Sequence, residues 1–437
     1  MGKALQVGLI GFGTIGAGVA KLLRAHRAEI ARRVGRPIEL TTIADLDVGT
    51  DRGVALGRTR LTTDVRAILD DPTIEVVIEL IGGYEPARRF VLDAIRAGKD
   101  VVTANKALLA VHGEEIVAAA ERQGVRLGFE ASVGGGIPIL RTLKEGLAGD
   151  RTQAVYGIVN GTCNHILTTM TREGRGFDEV LAEAQRMGLA EANPATDVDG
   201  IDSAHKLAIL TALAFGVAPR FRDIATEGIR HVDAIDIAFA TELGYTIKLL
   251  AIAKDHGRRV VARVHPTMIP RGHLLADVGG NFNALFVRGA ALGPTMYYGQ
   301  GAGSLPTATA VIADLIAAAR DRAVGEAVRV PPWGVPQADL RQAPVLPLAE
   351  LESEYYLRVM AVDRPGVLAR IAGVLGRCDI SIASVIQRDR RAGTTVPVVI
   401  RTHRARERNV ARARKALGGL SSVRGRPVCI RIEEQLG

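Results

Sequence analysis

The feature that most constrains this chain is a short apolar strand that ends in three spaced glycines. Residues 6–10 (Gln-Val-Gly-Leu-Ile) run directly into Gly11, Phe12, Gly13, Thr14, Ile15 and Gly16, after which Val19, Leu22 and Leu23 recur at helical spacing. In such a strand-turn-helix unit, Gly11 permits the tight turn and Gly13 lets backbone N–H groups approach a pyrophosphate. Gly16 permits close packing of helix on strand, and the helix N-terminus attracts negative charge. A glycine pattern alone is weak evidence, but the alternation continues. Strand patterns at 39–44, 75–81, 100–106 and 125–129 are interleaved with helical patterns at 86–97 and 114–122. Short connections between alternating elements imply an α/β fold with a parallel, Rossmann-type doubly wound sheet.

Ligands of such sheets gather at the carboxyl ends of the strands. Gly82-Gly83 and Asn105-Lys106 are expected there, which aims Lys106 at the cleft unless it is an ordinary surface-loop lysine. Asp45, at the end of the second strand, is placed to accept ribose hydroxyls and favours NAD. Arg52 or Arg58 suits the extra phosphate of NADP. The loop does not choose between the two cofactors, and both Asp45 and Arg52 also fit a plain solvated turn.

A second constellation lies at 188–206. Glu191, Asp197, Asp199 and Asp202 precede Lys206, and Ile201, Ala204, Ala208, Ile209, Ala212, Leu213 and Phe215 keep helical spacing. Asp202 and Lys206 are one turn apart and share a face that borders the core. Burial lowers a lysine pKa and a neighbouring carboxylate raises it, which suits a group that exchanges protons near neutrality. A structural ion pair on a half-buried helix fits the same spacing.

At 437 residues the chain requires two or three domains. Its apolar fraction of 47% suits a soluble globular protein, no run is long enough to span a bilayer, and the first residues lack an export signal, so cytoplasmic location is expected. The three cysteines, Cys163, Cys378 and Cys429, are too few and scattered for a disulfide framework or thiolate metal site. Cys163 with His165 is a weaker candidate nucleophile than a buried inert thiol. The net charge of +9 raises the question of a nucleic-acid partner. Arg404, Arg406, Arg408, Arg412, Arg414 and Lys415, however, spread around a helix with almost no aromatic residues between them, the pattern of a solvated basic helix.

The organisation expected is an NAD(P)-binding domain at 1–130, completed by a helix near 305–325, and an α+β domain at 131–304. A proline-rich linker at 331–353 leads to a module at 354–437. Between the first two, Glu130-Ala-Ser-Val133-Gly-Gly135-Gly-Ile137 suits either a sharp crossover or backbone ligation of a hard monovalent cation. Gly303 precedes a helix with Pro306 in its first turn, where exposed N–H groups meet an anion. The last module reads strand, helix, strand, strand, helix, strand, a ferredoxin-like βαββαβ order.

With these motifs in view, the sequence closely resembles bacterial homoserine dehydrogenases that carry a C-terminal ACT domain. The resemblance runs nearly end to end, through residues 8–16, 103–109, 130–138, 160–164, 188–206 and 301–307. The ACT likeness lies in 363–369 and 380–387. It implies reversible hydride transfer between NAD or NADP and L-homoserine, with L-aspartate 4-semialdehyde as the oxidised partner. Lys206 matches the family's proton donor, and Lys106 is the second lysine of the site. Glu191 and Asp202 match the substrate-binding acids, with Asp197 counted beside them. Cofactor contacts carry over to Phe12, Gly13, Thr14, Ile15, Thr103, Lys106 and Gly303. Backbone oxygens of Glu130, Val133, Gly135 and Ile137 match a sodium site. The family commonly has tyrosine at Leu189 and aspartate at Asn193. The ACT resemblance implies threonine as effector in the loop Asp363, Arg364, Pro365 and Gly366, and a homodimer or homotetramer. Deleting 350–437 is expected to leave activity and abolish threonine inhibition; the alternative is an ACT domain that is purely structural and only cements oligomers.

Two rivals remain at this stage. An aspartate-semialdehyde dehydrogenase needs an activated cysteine, and Cys163 lacks a basic setting. A non-catalytic nucleotide and amino-acid sensor has no need of both lysines beside the acidic run.

Overall fold

A computed structural model describes residues 3–218, 220–325, 329–388 and 394–436. Its N-terminal sheet contains β1 (Leu5–Ile10), β2 (Ile38–Ala44), β3 (Arg60–Thr62), β4 (Val76–Glu79), β5 (Asp100–Thr103) and β6 (Leu127–Gly128) in the order β3-β2-β1-β4-β5-β6. Neighbouring strands are parallel throughout. The order reverses between β1 and β4, so the loops leaving those strands splay apart and open a crevice. Gly16 is the hinge of the first loop. A Cβ there would stand 2.1 Å from Gly11 O, so only glycine lets the helix Thr14–Ala25 lie against the strand it follows. The late helix Ser304–Ala323 packs on that helix, and both share an apolar cluster with Leu5, Val7 and Leu9.

The second sheet is built from β7 (Thr152–Ile158), β8 (Ala225–Thr226), β9 (Tyr245–His256), β10 (Arg259–Pro270), β11 (Phe282–Gly289) and β12 (Pro294–Gln300), mostly antiparallel. The helix Ile201–Phe215 lies against β7, β9 and β10 and against the helix Lys106–Gln123 of the first domain. Ala204, Leu207, Ala208, Ile209, Leu210 and Ala212 of this helix are buried, which forces its Asp202 and Lys206 inside as well.

The C-terminal module contains β13 (Glu352–Val362), β14 (Ile382–Gln387), β15 (Thr395–Thr402), β16 (Ala405–Arg406) and β17 (Val428–Ile432). The principal strands run β17-β13-β15-β14. The helices Val367–Arg377 and Glu407–Gly418 pack together, and both bury apolar residues against the sheet. Arg408, Arg412 and Lys415 are exposed on the helix Glu407–Gly418, as a solvated basic helix requires, whereas Arg404 and Arg406, expected on the same helix, precede it, Arg406 in β16. The module does not hang free. β17 pairs in parallel with β10 through Thr267 with Arg431 and Met268 with Ile432, so the two sheets are one continuous sheet.

The proline-rich stretch differs from the semi-stiff linker its composition suggests. Trp333 is fully buried, edge-on to Phe129 at 5.4 Å, and Gly113 leaves room for its ring. Further along, Arg341 N–H donates to Gly216 O at 2.8 Å and Leu346 N–H to Val260 O at 2.8 Å. The segment is a packed strap tying both N-terminal domains together. Among the described residues, no helix is long and apolar enough to cross a membrane.

Candidate active site

Lys206 is held by its own helix and by the end of β7. Its Nζ donates to Asp202 Oδ2 at 2.7 Å and to Val159 O at 2.6 Å. The other oxygen of the same carboxylate, Oδ1, lies 2.9 Å from Lys106 Nζ. Lys106 is the first residue of its helix, directly after Asn105. The Asn105 side chain caps that helix by accepting from Leu108 N–H at 3.1 Å and donates to Gly83 O at 2.7 Å. One carboxylate therefore bridges two lysines from two domains, across the crevice predicted from the strand order.

The electrostatics follow from burial and charge. Burial pushes the Lys206 amine below the usual lysine range and the Lys106 charge pushes the same way, while Asp202 partly resists. Burial alone would raise the Asp202 carboxyl, but the two ammonium groups hold it well below the usual carboxylate range. Lys106 is more open, with 41% of its side chain exposed against 11% for Lys206. For Lys106, burial is outweighed by Asp202, Asp197 and Glu191, and its pKa is raised. The buried amine is thus the one poised to lose a proton, and the open one is a fixed cation.

Asn160 is a site residue that the sequence reading missed. It caps the helix Gly161–Glu173 through Oδ1, which accepts from Cys163 N–H at 2.8 Å, and its Nδ2 donates to Asp197 Oδ1 at 2.8 Å and Asp202 Oδ2 at 2.9 Å. The cap itself was readable from Asn before Gly-Thr at a strand end; the second role needs the fold. Glu191 is exposed at the rim, its carboxylate in no ion pair among the described residues. Leu189 is partly buried and Asn193 exposed beside it.

At the cofactor turn, a Cβ on Gly13 would meet nothing within 4 Å, so open space lies over the start of the helix where a pyrophosphate fits. Phe12 N–H donates to Asp45 Oδ2, and Asp47 N–H to Asp45 Oδ1 at 2.8 Å. Asp45 is thereby fixed at the lip of the turn, while Arg52 is paired with Asp47 at 2.7 Å. Thr103 donates its hydroxyl to the buried Glu79 at 2.6 Å, and that carboxylate also accepts from Ile81 and Gly82 N–H, joining the ends of β4 and β5. Gly303 precedes Ser304, whose hydroxyl donates to Thr14 O at 2.6 Å. Thus Gly11, Phe12, Gly13, Thr14, Ile15 and Gly16 follow β1, Asp45 follows β2, Thr103 ends β5 shortly before Lys106, and Gly303 leads into the helix bonded to Thr14.

Comparison with known proteins bears on this arrangement. The family described as "Homoserine dehydrogenase, NAD binding domain" matches residues 11–130, and the one described as "Homoserine dehydrogenase" matches residues 138–316. A homoserine dehydrogenase of Pseudomonas aeruginosa is 45% identical over 433 residues, covering 99% of this chain and 99% of its own length. The chain belongs to the homoserine dehydrogenase family. A second such enzyme, from Neisseria gonorrhoeae, is 44% identical over 431 residues, with 99% of each chain covered. The crystal structure of a homoserine dehydrogenase from Thiobacillus denitrificans superposes with a TM-score of 0.94 at 46% identity and 99% coverage of both chains. An ACT domain is matched at residues 355–419. The chain is therefore an oxidoreductase with an NAD(P)-binding domain, a homoserine dehydrogenase catalytic domain and an ACT domain.

Two further segments complete this homoserine dehydrogenase architecture. At the domain crossover, Glu130 caps the next turn by accepting from Leu140 and Arg141 N–H at 2.8 and 2.7 Å. The buried carbonyls of Val133 and Gly135 accept no hydrogen bond among the described residues, whereas that of Ile137 accepts from Ile139 N–H. In the ACT domain, Asp363, Arg364, Pro365 and Gly366 line a cavity of about 260 Å³ together with Gln387 and Val396. Cys163 is buried, donates its thiol to Asp197 O at 3.2 Å, and has its pKa pushed well up by burial, which removes it as a nucleophile.

Proposed function

We propose that this chain catalyses the reversible, NAD(P)-dependent oxidation of L-homoserine to L-aspartate 4-semialdehyde, with Lys206 as the proton-transferring residue. The observation that carries the reading is the state of the Lys206 amine. An ammonium has three donors. Two are taken by Asp202 and Val159 O, which leaves one for a substrate oxygen.

The fit of the dinucleotide rests on the open space over Gly13 and the fixed Asp45; a bound nicotinamide would take the hydride in homoserine oxidation and give it in the reverse reduction. In reduction, Lys206 gives its proton to the oxygen that becomes a hydroxyl; in oxidation, the neutral amine takes it back. Lys106 adds a second positive charge against developing negative charge on that oxygen, an effect of the kind worth about 10² to 10⁴ in rate. Glu191, Asp197 and Asp202 supply the negative field that an α-ammonium group needs. The unsatisfied carbonyls of Val133 and Gly135 suit a hard monovalent cation, such as sodium, shared with Glu130 and Ile137. Replacing Lys206 with Ala tests the assignment. Nicotinamide absorbance in the presence of homoserine should fall by at least about 10³ in rate, with dinucleotide affinity unchanged. Wild-type turnover in that variant would remove Lys206 from the chemistry.

For regulation, the ACT cavity suits a small amino acid, and threonine is the proposed ligand. It inhibits only if it binds the less active arrangement better. Threonine should inhibit the full chain and leave Asp363→Ala uninhibited at equal basal activity; equal inhibition of both would place the effector elsewhere.

A further inference from the structure

The acidic turn that carries Asp197 and Asp199 is held from behind by a short strap. The strap begins as β8, paired in parallel with β10, and Glu227 N–H continues the pattern by donating to Val264 O at 2.8 Å. Its backbone then lies directly on the turn. Ile229 N–H donates to Val198 O at 2.8 Å, and a Cβ on Gly228 would stand 2.1 Å from that same oxygen and 2.5 Å from Asp199 Cα. Arg230 closes the contact with a fork onto Asp199 at 2.5 and 3.2 Å.

The other side of the strap faces the ACT domain. Glu227 Oε2 accepts from Arg431 Nη1 at 2.8 Å, and Glu227 Oε1 lies 3.1 Å from His231 Nε2. Arg431 stands on β17 and is already forked onto Glu407 at 2.8 and 2.7 Å. A buried guanidinium with a bidentate carboxylate is adequately paired. The third bond, from Nη1, goes to Glu227 and satisfies a donor that the Glu407 fork leaves open. Its position is informative: it joins the last ACT strand to the segment that presses on the substrate acids.

We infer that Glu227 is a positioning residue, which uses Arg431 of the ACT domain to seat the 225–231 strap against the 195–200 turn and so sets the placement of Asp197 and Asp202. The route is continuous. Strap backbone meets Val198, Asp197 next to it is bonded to Asn160, and the same amide holds Asp202. Substrate affinity then depends on how the ACT domain docks at β17, without any ACT side chain bonded to Asp197, Asp202 or Lys206 among the described residues. The inference rests on the substrate role proposed above for Asp197 and Asp202.

The test is steady-state homoserine oxidation by full-length Glu227→Gln. The side chain is one-third exposed, and Arg431 keeps Glu407, so the fold is retained. The KM for homoserine should rise about five- to tenfold, with kcat and the dinucleotide KM within about twofold of wild type. Arg230→Gln, which loosens the strap from the exposed side, should move the same constant the same way. On an Asp197→Asn background, Glu227→Gln should add little, because its effect runs through that carboxylate. A homoserine KM unchanged in both variants, an equal rise in both KM values, or full additivity with Asp197→Asn would each reduce Glu227 to a structural role and overturn the inference. A wild-type enzyme inactive on homoserine would instead overturn the proposed function, and this inference with it.

Discussion

A lysine inside an apolar helix is tolerable at position 206 because Asp202 and a backbone carbonyl accept two of its N–H hydrogen bonds, and it is useful because burial keeps its pKa low. The sign of the pH dependence follows. Oxidation needs the neutral amine, so its rate should climb as pH rises through the depressed lysine pKa. Reduction needs the ammonium and should fall over the same interval. Asp202→Asn removes the charge that partly holds the proton on Lys206, so both limbs should move to lower pH. Profiles of kcat/KM in the two directions check this; limbs that stay in place, or move up, would show that another group titrates. The Asp202–Lys206 pair was legible from its one-turn spacing and Lys106 from its place after a strand end; that one carboxylate joins both amines needed the fold. Asn160 was not legible as a site residue. Its amide does two jobs, and sequence exposes only the cap.

At the scale of elements, alternation and glycine spacing revealed the first domain and the βαββαβ order of the last one, since those patterns follow from which faces must be buried. The strap at 331–353 was obscured by composition. Prolines report a backbone that forms neither helix nor regular strand, and say nothing of what it packs on. Trp333 shows the difference: fully buried, it sits against Phe129 and the helix that begins with Lys106. Trp333→Ala should cost about 3–5 kcal/mol from lost packing and the cavity left behind. Because the strap spans two domains, the loss should appear as a lowered first thermal transition and a weakened dinucleotide KM together. A calorimetric trace that matches wild type would mean that the strap is only laid over the surface. The two-residue strand β8 also escaped sequence reading, being too short for a periodic signal.

For the whole molecule, the sequence suggested three separable units, and the structure joins the last two into one sheet. The chain beyond β17 strengthens the joint. Glu433 pairs with Lys254 and, at 2.8 Å, with Arg263, while Glu434 accepts from Tyr245 and, at 2.9 Å, from Arg401. Leu436, 1% exposed, enters the apolar cluster of Tyr156, Ile252 and Phe286. Removal of residues 350–437 would strip β10 of its neighbour and leave Arg263, only 4% exposed as a side chain, facing no carboxylate. That loss adds to the cost of the exposed sheet edge and of the apolar surface that the module covers. The outcome expected from sequence, an active enzyme that has merely lost its inhibition, therefore changes: the truncated chain should be aggregated or poorly active. A milder cut separates the tail from the ACT fold. Ending the chain after Ile432 keeps β13 to β17 and both ACT helices, yet it should still lower the thermal transition and the homoserine activity, because Lys254 and Arg263 lose Glu433. Size-exclusion chromatography, calorimetry and turnover on the two truncations measure this. Full activity and an unchanged transition after the shorter cut would show that the tail only rests on the catalytic sheet, and that β17 pairing alone holds the domains together.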